Sequence, residues 1–220
     1  MKNFNETIAQ LQEQFDANIQ ATISTLIDEV ASKRDGKLFF NRPNHIITLH
    51  NSTPDKEGMV LPLKGLHMTD DGALLGIYDF KYKGKTIEVS LRGRLLPEDV
   101  LFMCQLSGLA NFASRQTEGL RTICNKALAE YARLLKTMPD CKMELNSGHP
   151  FVPFWPFNQA SVDNQRHYEE VTSLYLGSDG QVMRKGKDSA LGIDIDAPLC
   201  ELYMANLFTL GEYISEEVDA

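Results

Sequence analysis

The sequence predicts an α+β protein: an antiparallel sheet, made of a meander plus a second hairpin, is flanked by helices and preceded by a long N-terminal helix. Three observations carry this. Apolar residues recur at helical steps from Phe4 to about Arg34, short β-type runs cut by Pro and Gly fill residues 37–95, and helical spacing then returns. The strands are therefore grouped, whereas a parallel sheet needs strands alternating singly with helices.

In the first segment Phe4, Ile8, Leu11, Phe15, Ile19, Ile23, Leu26 and Val30 step by three or four residues, and Asp35-Gly36 supplies the stop. At about 1.5 Å per residue such a helix overhangs a compact domain of this size. Its far end is expected to pack on a second copy of the chain. In the second segment the best hairpin spans Gly76–Arg92 around Lys83-Gly84, with Tyr78, Phe80 and Tyr82 facing the same way as Ile87, Val89 and Leu91.

Pro97-Glu98-Asp99 then opens a helix, with Pro in its first turn and two acids at the positive end of the dipole. It is expected to run to about Ala113 as the buried centre of the fold. A second helix, Glu118 to about Met138, carries Leu120, Cys124, Ala127, Tyr131, Leu134 and Met138 on one face. After Pro139 the pattern is irregular to about Gln165. Glu170–Leu176 and Gln181–Arg184 form a second hairpin across Gly177-Ser178-Asp179-Gly180, Leu191–Ile195 adds a strand, and a last helix is expected from Pro198 to about Ile214. The organisation predicted is thus 1–138 as helix, meander and two helices, 139–168 as an irregular Pro/aromatic loop, and 169–220 as hairpin and C-terminal helix on the same domain.

The chain has 220 residues and a net charge of −8. Eight acids and no Lys or Arg lie between Asp188 and Ala220, so the whole excess sits at the C-terminal end. An acidic end repels phosphate polymers and anionic membranes and favours basic partners, which makes nucleic acid an unpromising ligand. The start carries no apolar leader and no run approaches 18 apolar residues, so a cytoplasmic chain with no membrane partner is expected. Cys104, Cys124, Cys141 and Cys200 are too dispersed for a zinc cluster, and no metal or other cofactor is expected.

The least ordinary segment is His149-Pro150-Phe151-Val152-Pro153-Phe154-Trp155-Pro156-Phe157-Asn158. Pro-Phe recurs there every three residues, the period of a polyproline II helix, so three apolar edges compete for cover. The strip is either a structural wall or a partner-binding surface built on Phe151, Phe154, Trp155 and Phe157. The polar face of the first hairpin, with Lys81, Lys83, Arg92 and Arg94, is a candidate anion-binding patch. Asp194 and Asp196 alternate along one strand, where two carboxylates can share a face. No nucleophile elbow and no zincin-type His pairing is present in the sequence.

Leu95-Leu96-Pro97-Glu98-Asp99 leading into a buried helix, Leu109-Ala110-Asn111-Phe112 at its end, and Gly177-Ser178-Asp179-Gly180 before a final helix make the order of elements loosely similar to the small acidic chaperones of bacterial type III secretion. That resemblance implies helices flanking a twisted antiparallel sheet and pairing of two copies. The function expected is a non-enzymatic protein-binding module, adaptor or chaperone-like, that self-associates as a homodimer and binds a protein partner. The alternative is a small-molecule-binding protein or hydrolytic enzyme whose pocket is lined by Phe154, Trp155 and Phe157 with the acids Asp194 and Asp196.

Overall fold

The computed structural model describes residues 2–44, 63–80, 84–91, 95, 97–153, 168–189, 191–203 and 206–212. The fold is α+β, as the sequence predicts, with a helix α1 at Lys2–Ala31 and, among the described residues, two antiparallel four-stranded sheets, each in sequential strand order. The meander and the second hairpin belong to separate sheets. The first holds β1 (Lys37–Asn44), β2 (Leu63–Met68), β3 (Leu74–Phe80) and β4 (Lys85–Ser90); the second holds β5 (Lys142–Phe151), β6 (Glu169–Leu176), β7 (Val182–Asp188) and β8 (Asp194–Pro198).

The chain divides into two compact units. The central unit is built from Ile19–Thr117, and the terminal unit from Met1–Asn18, Glu118–Phe154 and Arg166–Ala220. The division cuts α1 and the helix α3 (Ala110–Leu135) within their lengths.

In the central unit the second half of α1 offers Leu26 and Val30 to a core with Leu38, Phe40, Leu63, Leu66, Tyr78 and Leu91 from the sheet and Met103 and Cys104 from helix α2 (Pro97–Leu106). Each fully buried side chain of this kind contributes about 1.5–3 kcal/mol. Burial pushes the Cys104 thiol up to about 12, so it behaves as a small apolar group. The expected run of α2 to Ala113 is corrected. Gly108, at φ 86°, lets its own N–H reach Gln105 O at 3.3 Å and that of Leu109 reach Cys104 O at 2.9 Å, a Schellman stop that also starts α3 at Ala110 rather than Glu118.

In the terminal unit Phe4 meets Tyr131 edge-on at 5.2 Å, Phe15 meets Phe208 at 5.4 Å, and Tyr131 Oη donates to Leu207 O at 2.7 Å. The expected irregular loop is corrected over 142–151, which forms strand β5. Its Pro150 is tolerated because β5 is an edge of its sheet, and its register slips between Glu144 and His149. The last helix is corrected too: Leu199 N–H still bonds Val182 O at 2.8 Å, holding Asp194–Pro198 in the sheet, a 3-10 turn follows at Glu201–Tyr203, and the described residues of helix α4 are 206–212.

The two units repeat one plan. Each runs from a long helix through a left-handed Asp, Asp35 or Asp140 at φ 56°, into a four-stranded meander and then helical turns. The registers correspond position by position. Leu38 pairs with Leu66 as Met143 pairs with Leu174, and Gly76 with Val89 as Arg184 with Ala197. Both second strands bulge at the same place, between Leu63 and Gly65 and between Val171 and Ser173. Both β-turns that follow close on a glycine, Gly72 at φ 81° and Gly180 at φ 82°, with matching bonds from Gly72 N to Thr69 O and from Gly180 N to Gly177 O, each 2.9 Å. Buried Phe15, Ile19, Thr22, Leu26 and Val30 on α1 keep the same spacing as buried Leu120, Cys124, Ala127, Tyr131 and Leu135 on α3. The described residues thus carry one architecture twice, with different side chains in many of the matching places.

Candidate functional site

The outer face of the second sheet carries the predicted acids. Strand alternation turns Asp194 and Asp196 to the same side as Lys185 and Lys187, and the register sets Lys185 opposite Asp196 and Lys187 opposite Asp194. With Glu170, Thr172, Gly186 and Ile195 these side chains line an open groove of about 610 Å³. Asp196 is held on both oxygens: Tyr175 Oη donates to Oδ1 at 2.6 Å and Lys185 Nζ stands 3.5 Å from Oδ2. The same Lys185 ammonium lies 4.9 Å from the centre of the Tyr175 ring. The bond to Asp196 raises the Tyr175 phenol above its ordinary value. This is a charge-patterned surface in which Asp196 is committed to its neighbours.

The first sheet carries the equivalent arrangement. His67 Nδ1 lies 2.6 Å from Glu88 Oε2, and Lys37 Nζ lies 3.0 Å from Oε1. His67 and Tyr175 occupy matching positions, as do Glu88 and Asp196. The hydrogen bond with His67, then that from Lys37, holds the Glu88 carboxyl below the usual range. A ring on the second strand bonded to an acid on the fourth is thus common to both outer faces.

The inner side of the second sheet holds what sequence reasoning missed. Arg184 is buried, and its Nε and Nη2 clasp Glu169 Oε2 and Oε1 at 2.5 and 2.9 Å. Nη1 donates to Pro198 O, Nη2 also donates to Tyr203 Oη at 2.9 Å, and the guanidinium stacks 4.5 Å from the centre of the Tyr203 ring. Tyr203 Oη donates to Glu169 Oε1 at 2.6 Å. Burial pushes Glu169 up, but the bonds from Arg184 and Tyr203 outweigh it and hold the carboxyl below its ordinary value. Burial, then the bond to Glu169, pushes the Tyr203 phenol up. The network ties the segment after β8 to the sheet. The sequence signal was an arginine at an inward position of a strand, between Val182 and Gly186.

Of the predicted aromatic strip, Phe151 is 0% exposed, packed on Tyr203 at 5.9 Å and on His149 at 5.5 Å, which makes it core. Phe154, Trp155 and Phe157 lie outside the described residues, as do Lys81, Lys83, Arg92 and Arg94. Among the described residues the exposed large apolar side chains lie elsewhere. Tyr168, Leu191 and Ile193 are 44%, 69% and 56% exposed. The main chain that carries them meets beside the connection between β7 and β8. Ser189 N–H bonds Tyr168 O at 3.0 Å, Leu191 N–H bonds Asp188 Oδ1 at 2.7 Å, and Asp188 N–H bonds Ile193 O at 2.9 Å.

Among the described residues no three His, Cys, Asp or Glu side chains gather as a metal site, and no helix is long and apolar enough to cross a membrane. No protein-family model, curated protein or solved structure matches the chain.

Proposed function

We propose that this chain is a non-enzymatic protein-binding module, adaptor or chaperone-like, that acts by surface contact and self-associates. The observation that carries the reading is the gathering of Tyr168, Leu191 and Ile193 at one end of the second sheet. These are three of the four large apolar side chains exposed on the described surface, the fourth being Phe39 in edge strand β1. Exposed apolar groups scattered singly are ordinary, whereas several presented at one end of a sheet suit a partner. Phe154, Trp155 and Phe157 remain candidate contact residues on their sequence pattern alone. Four free thiols, two of them buried, agree with a reducing compartment such as the cytoplasm.

The test is a capture experiment from the native host with wild type and a Leu191→Ser/Ile193→Ser variant, alongside sedimentation of both proteins. Both substitutions replace exposed groups, so the fold is expected to survive. Loss of the same partner in the variant supports the reading, and an unchanged partner set with a folded variant rejects it.

A further inference from the structure

We propose that β8 is a docking edge for an extended segment of another protein that carries basic, apolar and basic residues in alternation. The inference rests on the protein-binding reading above and names the partner chemistry. Strand β8 closes its sheet, with β7 on one side and no strand on the other among the described residues. Ladder bonds in an antiparallel pair alternate along each strand. Asp188 N–H bonds Ile193 O at 2.9 Å and Leu199 N–H bonds Val182 O at 2.8 Å, so residues 193, 195, 197 and 199 direct their main-chain groups at β7. The N–H and C=O groups of Asp194 and Asp196 therefore point away from the sheet. Pro198 ends this edge because it has no N–H and its carbonyl is taken by Arg184.

An added strand bonds at Asp194 and Asp196, which places its own side chains opposite those two on the groove face, about 5.5 Å away between Cα atoms. Both opposite positions meet a carboxylate, and the groove beside them holds three acids, Glu170, Asp194 and Asp196, against two lysines. Lys or Arg fits there. The residue between them falls on the other face, beside half-buried Ile195 and Ala197, and is best apolar. The exposed Leu191 and Ile193 continue the same surface at its start. The equivalent edge of the first sheet, β4, offers Thr86 and Glu88 in place of the two aspartates, one carboxylate where β8 presents two. It provides an internal control.

The experiment uses the full chain and a blocked heptapeptide alternating lysine and valine, titrated by calorimetry at about 0.15 M salt, where weak charge attraction is screened. A glutamate–valine counterpart and a lysine–valine peptide with N-methyl groups on the residues facing β8 are the comparisons. The lysine–valine peptide is expected to bind, and binding is expected to fall about tenfold or more with N-methylation and with Asp194→Asn/Asp196→Asn, while Glu88→Gln leaves it unchanged. Binding that ignores N-methylation, that is equal for both charge patterns, or that is lost in Glu88→Gln instead overturns the proposal, as does no binding at all. Failure here, with partner loss retained in Leu191→Ser/Ile193→Ser, leaves the apolar contact reading standing and removes only the edge.

Discussion

The central and terminal units use one meander but fill the inner face of its third strand in opposite ways. In the central unit Gly76 leaves room for the ring of Tyr78: a Cβ at 76 meets Tyr78 Cε2 at 2.6 Å and Leu63 Cδ1 at 3.0 Å. In the terminal unit the large side chain has moved two residues back. Arg184 stands where Gly76 stands, and Gly186 replaces Tyr78 and lies against the β6 backbone, where a Cβ meets Glu170 O at 2.0 Å. One unit closes on an apolar ring and the other on a buried ion pair. The difference teaches that the meander specifies which positions face inward and leaves the chemistry of filling them open, provided each polar group introduced is paired.

The sharpest way to break this comparison is to leave the ion pair half made. Glu169→Leu strands the Arg184 guanidinium in a site where it is one-tenth exposed and is expected to cost about 3–5 kcal/mol, read by urea unfolding. Glu169→Leu/Arg184→Leu is expected to recover most of that loss, because apolar replacement of both partners removes the buried charges together. A double variant as unstable as the single one contradicts it.

Gly76→Ala attacks the other solution. The added methyl has no space beside the Tyr78 ring, and a loss of about 1–3 kcal/mol is expected on thermal or chemical unfolding. A neutral outcome means that Tyr78 shifts freely, against its complete burial.

The turn shared by the two units offers a smaller effect of opposite sign. Gly36 at φ 60° and Cys141 at φ 49° hold equivalent left-handed positions, yet only the first is a glycine. Cys141→Gly is expected to stabilise by about 0.5–1 kcal/mol, relief of a strained side chain less the entropy a glycine loses. Gly36→Ala is expected to destabilise, since its Cβ meets Met68 O at 2.5 Å.

Acid sharpens the contrast last. Glu169 and Glu88 both sit below their ordinary value of 4.5 in the folded chain. A depressed carboxyl contributes stability that is complete at neutral pH and is lost as pH falls through the folded value. Between about pH 5 and pH 3 wild type should therefore lose stability more steeply than Glu169→Gln and, by a smaller margin, than Glu88→Gln, whose carboxylate is more exposed. Parallel unfolding curves for all three proteins contradict this.

Much of the fold is legible in the sequence because it depends on local period. The stripe from Phe4 to Val30 is the buried face of α1, with Thr22 taking the inward place that the stripe gave to Ile23. That Tyr78 and Ile87 share a face follows from the same kind of pattern, whereas their direct pairing is two residues off the register that a turn at Lys83-Gly84 implies. Strand β5 is not legible, because Gly148 and Pro150 read as breakers, and only an edge position in a sheet lets a strand absorb them. The candidate site divides in the same way. That Asp194 and Asp196 share a face is strand alternation, but Lys185 and Tyr175 reach Asp196 through register alone.

The sequence by itself determined the order of helices and strands apart from β5, and the buried stripe of the long first helix apart from Thr22, since these depend on backbone preference and spacing a few residues long. Only the tertiary structure decided that the strands form two matched sheets, that Phe151 is core, and that Arg184 is inside. Those outcomes join residues far apart in the chain, and the energy of burying a ring or pairing a charge depends on what arrives opposite it.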